Sequence, residues 1–225
     1  MFAAKDLLDL GHTQHGELFS PSEPVWSSLA NISKYLAENV TPGFHGDVSE
    51  SAHIGPDVFI GKGTKVEPGA TIQGPAWIGE NCVVRAGAYV RQDVIIGNGV
   101  MLGNSCEFKN CVLFDDCEVP HFNYVGDSIL GYKAHLGAGV ILSNVRLDRR
   151  NVVVTRPDGE MVDTGLEKFG AIVGDGSEIG CNSVLSPGSV IGRRCVLYPG
   201  TQWRGCLPDE QIVKLIQTQK IVKRI

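Results

Sequence analysis

The side chain best suited to chemistry in this sequence of 225 residues is the imidazole of His121. A neutral imidazole can take a proton from an attacking amine or hydroxyl near physiological pH, which is the task of a general base. His121 lies in the segment Val-Pro-His-Phe-Asn-Tyr-Val-Gly-Asp (119–127), close to Tyr124 and upstream of Gly137-Ala138-Gly139. A histidine alone proves little, because the sequence holds six and most histidines are packed or surface residues. What makes His121 a candidate is its position in an interruption of a regular repeat, where function often overrides sequence rules.

The element that must position His121 is a repeat of six residues. A large apolar residue returns at every sixth position, at Val48, Ile54, Ile60, Val66, Ile72, Ile78, Val84, Val90, Ile96, Leu102, Phe108 and Phe114. Four positions after each of the first eleven comes a small or β-branched residue, at Ala52, Val58, Thr64, Ala70, Ala76, Cys82, Ala88, Val94, Val100, Cys106 and Val112. Neither a helix nor an alternating strand has a period of six, whereas a coil of short flat faces and tight corners does. The pattern predicts a hexapeptide-repeat parallel β-helix.

The β-helix is expected over residues 46–206, in about seven turns of ~18 residues. The repeat breaks after Phe114, where Glu118 occupies a small-residue position. The sequence departs from the repeat again over residues 145–172. The turn signal Arg156-Pro157-Asp158-Gly159 predicts a protruding hairpin in this second interruption. A loop of this length on a compact coil is usually functional or contacts a partner.

Both ends of the chain are predicted to be helical. In residues 1–45, an apolar stripe at helical spacing predicts a segment that lies on the coil or on a neighbouring subunit; it consists of Val25, Leu29, Ile32 and Leu36. Residues 207–225 begin with Pro208-Asp209-Glu210 and end with basic residues, which is typical of a C-terminal helix.

Composition and charge exclude several classes of partner. The net charge of −5 gives no general basic footprint, so we expect no nucleic-acid partner. No apolar run is long enough to span a membrane, and the charges of Lys5 and Asp6 exclude a signal-peptide core, so a cytoplasmic protein is expected. The seven cysteines show no CxxC spacing, and Cys82, Cys106 and Cys195 fit the small-residue positions, so no metal site is predicted.

Residues 119–144, VPHFNYVGDSILGYKAHLGAGVILSN, resemble the acetyltransferase half of the bacterial glucosamine-1-phosphate N-acetyltransferase/uridyltransferase family. They are still more similar to archaeal sugar-1-phosphate nucleotidylyltransferases with an acetyltransferase tail, which share the long excursion and the later Lys168-Phe169-Gly170-Ala171 pattern. The His-x-x-Tyr-x-Gly-Asp core with its downstream Gly-Ala-Gly is much more specific than the repeat. The resemblance covers residues 48–205 and implies an all-β, left-handed parallel β-helix assembled as a homotrimer.

The resemblance implies catalytic and coenzyme-binding roles for five residues. His121 matches the family's catalytic base, and Asn144 matches an asparagine near the acetyl group. Ala138 lies where the backbone meets acetyl-CoA. Cys181 and Pro199 replace small residues that line the coenzyme groove.

Five further residues match positions of the sugar-phosphate site. Arg91 and Lys109 lie where the family places cations for the phosphate, although without the resemblance they would be ordinary solvated charges. Tyr124 matches a tyrosine that contacts the sugar. His135 stands where the bacterial enzymes have an asparagine, and Arg150 where both groups have a lysine, so the acceptor can differ from theirs.

The implied reaction is direct acetyl transfer from acetyl-CoA to the amine of an amino-sugar phosphate, with His121 as the base and without a metal. The alternative is a non-catalytic trimeric scaffold that binds a sugar phosphate and regulates a separate nucleotidyltransferase. A γ-class carbonic anhydrase would need three zinc-binding histidines, which the spacing of His121 and His135 does not fit. Residues 1–45 are too short for a nucleotidyltransferase domain and no glycine-rich phosphate loop opens the chain, so uridylyl transfer is not expected.

Overall fold

The computed structural model describes residues 2–224, and its main body is a coil with three flat faces of parallel strands, here called faces A, B and C. Face A consists of β1 (Gly43–Phe44), β4 (Val58–Ile60), β7 (Ala76–Ile78), β10 (Val94–Ile96), β13 (Cys111–Leu113), β16 (Ile129–Leu130), β21 (Ala171–Val173), β24 (Ser189–Ile191) and β27 (Cys206–Leu207). Face B consists of β2 (Asp47–Val48), β5 (Lys65–Val66), β8 (Val83–Val84), β11 (Met101–Asn104), β14 (Glu118–His121), β17 (His135–Leu136), β22 (Glu178–Ile179), β25 (Val196–Leu197) and β28 (Ile212–Val213). Face C consists of β3 (His53–Ile54), β6 (Thr71–Ile72), β9 (Tyr89–Val90), β12 (Glu107–Lys109), β15 (Tyr124–Gly126), β18 (Ile141–Leu142), β23 (Val184–Leu185) and β26 (Gln202–Trp203).

The parallel β-helix predicted from the repeat is confirmed, and it is longer than expected. Within residues 2–224, faces A and B have nine strands each and face C has eight, so the coil has about nine turns rather than seven. It begins at Gly43 and ends at Val213, beyond the expected limits of 46 and 206 on both sides. Successive turns are joined by the parallel-strand ladder, whose spacing is ~4.8 Å.

The two sequence positions of the repeat play different parts in the interior. The large position fills the core with fully buried side chains such as Ile60, Ile78 and Leu102. The small position lies at a corner, where Thr64 Oγ1 donates to the Gly79 carbonyl at 2.6 Å and Ser177 Oγ donates to the Gly192 carbonyl at 2.7 Å. These hydroxyls satisfy carbonyls that would otherwise be buried without a partner, which explains why the position takes threonine and serine.

The repeat shortens before the point that the sequence pattern indicates. Val94 pairs with Ala76, 18 residues earlier, but with Cys111, only 17 residues later. Consequently Cys111 and Leu113 face the interior, and Val112 and Phe114 face outward. The assignment of Val112 and Phe114 to the interior was therefore wrong.

The same shift moves the next small position by one residue. Cys117 occupies it and is buried, whereas Glu118 is exposed. The sequence could not separate these alternatives at Phe114, because its outward-facing ring is also buried, with its centroid 5.6 Å from that of Phe19.

The N-terminal segment is helical, as predicted, and packs against the outer side of face A. It contains α1 (Ala4–Leu7), three 3₁₀ helices (Leu10–His12, Gly16–Leu18 and Val25–Asn31) and α2 (Ile32–Asn39). The four residues of the predicted apolar stripe are all buried. They share a cluster with outward-facing residues of face A, among them Ile95, Val112 and Ile129. The middle of face A is therefore buried on both sides, as strands of parallel sheets commonly are, whereas Phe44 of β1 is exposed.

The excursion after β18 forms the predicted hairpin. β19 (Val153–Thr155) and β20 (Met161–Asp163) pair as antiparallel strands, and the chain re-enters the coil at Ala171. Its base is anchored by Phe169, which is fully buried and lies 5.9 Å from the Trp26 ring.

The predicted C-terminal helix over 207–225 is wrong for residues 207–224, and Ile225 lies outside the described residues. β27 and β28 continue the coil, and residues 214–224 are neither helix nor strand. Ile212 and Val213 pair with Val196 and Leu197, because the open last turn offers them ladder hydrogen bonds. The supposed helix start forms a corner instead, with Glu210 at φ +61°.

Candidate active site

His121 lies at the corner where face B turns into face C. The following residue, Phe122, has φ +54° and an exposed side chain, and the imidazole of His121 is also exposed. The His121 N–H donates to Asn123 Oδ1 at 3.1 Å, and Asn123, which is buried, donates to the Gly137 carbonyl at 2.7 Å. The His121 carbonyl accepts the Gly139 N–H at 3.0 Å. The corner that presents the imidazole is thus fixed by backbone hydrogen bonds and by the hydrogen bonds of the buried Asn123 side chain.

Three predicted coenzyme contacts lie on the same corner in the turns below. The Ala138 carbonyl accepts the Asn182 N–H at 2.8 Å, and the Cys181 carbonyl accepts the Gly200 N–H at 2.8 Å. These bonds stack four predicted site residues in successive turns; this set, here called the corner column, consists of His121, Ala138, Cys181 and Pro199.

The Gly-Ala-Gly sequence is explained by close packing at this corner. A Cβ on Gly137 would lie 2.7 Å from the Cys181 nitrogen, and Gly139 has φ +74°. Both positions therefore favour glycine. Within residues 2–224, the Ala138 N–H between them donates to no acceptor. An unused, half-buried backbone N–H is the type of donor that stabilises a developing oxyanion.

A cavity of about 310 Å³ adjoins the corner column. Cys181, Pro199 and Gly137 line it together with His135, Glu178 and Tyr198. His135 Nδ1 lies 2.6 Å from Glu178 Oε2, and both residues line this cavity. The role of His135 at the sugar stays a prediction.

The two predicted phosphate-binding cations lie on neighbouring strands of face C, and each is paired with a carboxylate. Arg91 Nη1 lies 2.9 Å from Glu107 Oε1, with about a third of each side chain exposed. An exposed pair of this kind contributes about 0–1 kcal/mol, so Arg91 can exchange Glu107 for a ligand at little cost.

The Lys109 pair is of a different kind. Its ammonium lies 2.9 Å from Asp127 Oδ1, and the side chains are only 15% and 3% exposed. Removing one partner of a buried pair typically costs about 3–5 kcal/mol. Asn110 Nδ2 donates to Asp127 Oδ1 at 2.9 Å, and Asn144 Nδ2 donates to Asp127 Oδ2.

Tyr124 completes this group of side chains. Its hydroxyl accepts Asn144 Nδ2 at 3.1 Å. Burial, followed by the negative charge of Asp127, raises the pKa of the Tyr124 phenol, so it stays neutral and able to donate a hydrogen bond. We call the set Arg91, Lys109, Tyr124, Asn144 and Asp127 the acceptor cluster.

Arg150 is not part of this cluster in the single chain. It is exposed at the start of the excursion, where its backbone N–H donates to Asp148 Oδ1 at 3.3 Å. Asp148 is itself paired with Arg146, whose guanidinium is the main cause of the lowered pKa of the Asp148 carboxyl.

The corner column lies before the start of face C, and most of the acceptor cluster lies at its end. Lys109 and Asn144 are near the end of the face, whereas His121 and Ala138 precede its start. Tyr124, the first residue of β15, is the member of the cluster that lies nearest to His121 along the chain.

Two functional candidates escaped the sequence analysis, Asp127 and Glu107. The signal for Asp127 was present, because it ends the His-x-x-Tyr-x-Gly-Asp core and lies where the turn is one residue short. Among residues 2–224 there is no group of three or more histidine, cysteine or acidic side chains placed to hold a metal ion. In the same range, no helix has the length and apolar character needed to cross a bilayer.

Known proteins confirm the resemblance that residues 119–144 indicate. The family described as GMPPB C-terminal domain matches residues 72–157. A bifunctional sugar-1-phosphate nucleotidylyltransferase/acetyltransferase of Sulfurisphaera tokodaii is 29% identical over 174 residues, which are 77% of this chain and 43% of that protein. An uncharacterized acetyltransferase of Escherichia coli is 38% identical over 132 residues, which are 59% of this chain and 57% of that protein. The chain thus spans less than half of the archaeal relative.

Among solved structures, the UDP-N-acetylglucosamine acyltransferase from Campylobacter jejuni is 14% identical and covers 74% of this chain and 72% of its own length. Its TM-score of 0.44 is too low for a comparison of sites.

Proposed function

We propose that this chain catalyses acetyl transfer from acetyl-CoA to the amine of an amino-sugar phosphate. The observation that carries the proposal is the corner column, where His121 lies one turn above the unused N–H of Ala138 and the residues of the next two turns, Cys181 and Pro199, line a cavity of about 310 Å³. The names of the two sequence relatives, both acetyltransferases, support the reaction class.

The corner column offers acetyl-CoA what its reactive end requires. The cavity is lined largely by apolar atoms and backbone, which suits the pantetheine arm, and Cys181 and Pro199 form part of its wall. Ala138 follows Gly137, which lines the cavity, and we propose that its unused N–H meets the thioester oxygen.

The reaction needs one base and one oxyanion donor. The acceptor ammonium first releases one proton to solvent. His121 then takes a second proton from the amine nitrogen as that nitrogen forms its bond to the thioester carbon. The Ala138 N–H donates to the oxyanion of the tetrahedral intermediate. When the C–S bond breaks, the thiolate of coenzyme A takes up the proton from His121, and no acyl-enzyme forms.

Asn144 acts on the acceptor side of this mechanism. In the single chain, both N–H groups of its amide are engaged, with Tyr124 and Asp127. Asn144 therefore orients these two side chains, and the oxyanion is left to the backbone of Ala138.

The acceptor is held by the acceptor cluster. Arg91 leaves Glu107 for the phosphate, and Lys109 and Tyr124 add charge-assisted and neutral hydrogen bonds. Because the column and most of the cluster lie at different ends of face C, we propose a homotrimer in which the column of one chain meets the cluster of a second.

A second candidate function is a sugar-phosphate-binding scaffold without turnover, which could regulate a separate nucleotidyltransferase. It is favoured by the charge balance of the acceptor cluster, since Glu107 and Asp127 neutralise both cations in the single chain. A phosphate dianion must then displace or tolerate these carboxylates.

The test is a thiol-release assay with acetyl-CoA against a panel of amino sugars and their 1-phosphates. We expect thiol release in proportion to the acetylated sugar, with phosphorylated acceptors preferred. Binding of a sugar 1-phosphate without any thiol release would support the scaffold instead. Thiol release without a sugar product would indicate hydrolysis and contradict both functions.

A further inference from the structure

The carboxylate of Asp127 is the common hydrogen-bond acceptor of the acceptor cluster. Lys109 Nζ lies 2.9 Å from Oδ1 and 3.2 Å from Oδ2, Asn110 Nδ2 donates to Oδ1, and Asn144 Nδ2 donates to Oδ2. A carboxylate has about four lone-pair positions, so its capacity is used in full by these contacts. Asp127 therefore has no position left for a ligand of its own.

The backbone of Asp127 is held as firmly as its side chain. Its N–H donates to the Lys109 carbonyl at 2.9 Å, and its carbonyl accepts the Gly170 N–H at 2.8 Å. The turn above and the point where the chain re-enters the coil are thus both tied to this residue. With φ +48° and a side chain 3% exposed, Asp127 is set in place before any ligand arrives.

The second carboxylate of face C lacks this fixation. Glu107 makes its pair with Arg91 at the surface, and about a third of each side chain remains exposed. The two carboxylates therefore carry the same charge and each holds one cation, but only Asp127 fixes the position of its partner.

We propose that Asp127 is the positioning residue of the acceptor cluster. It holds the Lys109 ammonium at one place on face C, and it leaves one of the three N–H groups of Lys109 for the phosphate of a sugar phosphate. It also aligns Asn144, which in turn holds the Tyr124 hydroxyl. The inference rests on the proposed acceptor class, and it adds that Arg91 moves to meet the phosphate whereas Lys109 is preset.

The test compares two variants that remove the same charge. Asp127→Asn releases Lys109, and Glu107→Gln releases Arg91. A simple field effect would make both variants bind an anion more tightly, because each removes a negative charge near the site. A positioning role predicts opposite results for the two variants.

The probe is glucosamine 1-phosphate, with glucosamine as the unphosphorylated reference, and calorimetry gives the dissociation constants. We expect Asp127→Asn to bind the phosphate about tenfold more weakly while glucosamine changes little, and Glu107→Gln to bind the phosphate as well as the wild type or more tightly. Tighter phosphate binding by Asp127→Asn, or equal losses for both probes, would overturn the positioning role.

A milder variant covers the case in which Asp127→Asn does not fold. Asn110→Gly removes one donor to Asp127 without a change of charge, and glycine readily adopts the φ of +46° found at this position. We expect it to weaken binding of glucosamine 1-phosphate about threefold; unchanged binding would contradict the proposal.

The outcomes separate this inference from the proposed function. Acetyl transfer to a sugar phosphate with unchanged binding by Asp127→Asn and Asn110→Gly overturns the role of Asp127 alone. Binding that depends on Asp127 in a chain without turnover overturns the acetyltransferase and leaves the positioning role in place. A wild-type chain that binds no sugar phosphate overturns both.

Discussion

The carbonyl of His121 accepts the N–H of Gly139 at 3.0 Å, so the proposed base stands directly above the Gly-Ala-Gly corner. The imidazole-bearing residue and the Ala138 N–H are thereby separated by one ladder spacing, ~4.8 Å. This spacing is set by backbone hydrogen bonds between turns and not by side-chain packing. The relative position of base and oxyanion donor should therefore withstand substitutions elsewhere in the coil.

Replacement of His121 separates the enzyme from the scaffold. His121→Ala should lower turnover by ~10²–10⁴-fold, the usual contribution of general base catalysis. Binding of glucosamine 1-phosphate should change far less, because the acceptor cluster is intact. The matched control is His53→Ala, since His53 is an exposed histidine on face C. Full activity of His121→Ala in the thiol-release assay would contradict the proposed mechanism.

Arg91 should determine phosphate preference. Arg91→Ala removes the cation that can leave its partner most readily, so the KM for a phosphorylated acceptor should rise about tenfold or more, with little change for the unphosphorylated sugar. Arg85→Ala, which removes the same charge from face B, serves as the control. Equal effects of Arg91→Ala on the two acceptors would exclude a phosphate contact.

Assembly into a trimer should follow from the proposed sharing of each site between two chains. Light scattering at micromolar concentration should report three chains per particle. The complementary experiment mixes two inactive variants, His121→Ala and Lys109→Met, after unfolding and joint refolding. If sites are shared, some mixed particles regain activity. An active monomer would contradict the shared site.

Thiol accessibility should follow the side of the coil on which each cysteine lies. Cys82, Cys106 and Cys195 are buried, and burial raises the pKa of each thiol, so a thiol reagent should label them slowly in the native protein and rapidly after denaturation. Cys181 is exposed and should be labelled first.

Coenzyme A provides the control for the cavity. It should slow the labelling of Cys181, which lines the cavity, and leave the half-buried Cys206 unaffected. Mass spectrometry of the labelled peptides measures both rates. Rapid native labelling of Cys82, Cys106 and Cys195 would mean that the assignment of these positions to the interior is wrong.

Acid sensitivity should arise from His15, which packs against Trp77 and Tyr35 under the N-terminal segment. Burial lowers the pKa of His15 to about 4. The unfolded chain has a histidine pKa of ~6.5 and therefore binds more protons between these values. The free energy of unfolding should thus fall as the pH drops from ~6.5 to ~4, by up to about 3 kcal/mol.

Urea unfolding at several pH values measures this dependence. His15→Phe should flatten the decline between these two pH values, because the titrating group is gone, whereas His53→Phe should leave it unchanged. An identical decline in His15→Phe and the wild type would assign the acid sensitivity to other groups.

The sequence predicted the coil well because its interior is filled by a strict alternation of large and small residues, as at Ile60 and Thr64. The prediction failed where the alternation no longer distinguishes residues that face inward from residues that face outward. Around Phe114, the residues facing inward and outward are all apolar, since the N-terminal segment buries the outer side of face A. The shortened turn could be located only from the strand pairing of Val94 with Cys111.

The prediction of a C-terminal helix failed for a related reason. Ile212 and Val213 fit an apolar helix face as well as they fit a strand, and helix start signals precede them. The strand is favoured because it forms ladder hydrogen bonds with the preceding turn at Val196 and Leu197. At the site, the interruption of the repeat singled out His121 and the Gly-Ala-Gly sequence marked the corner below it, and the roles of both stay predictions. The part played by Asp127 depends on contacts with Lys109 and Asn144 that no spacing rule contains.

The N-terminal segment, described above as a cover for face A, also limits how the molecule can be approached. Together with the excursion, whose Val152, Val154 and Phe169 belong to the same cluster, it covers the outer side of face A from Trp77 to Val190. A protein that docks along a flat side over this length must therefore use face B or face C. The corner column is the edge that these two faces share, so the flat sides left open to a neighbouring chain are the two that meet where His121 lies.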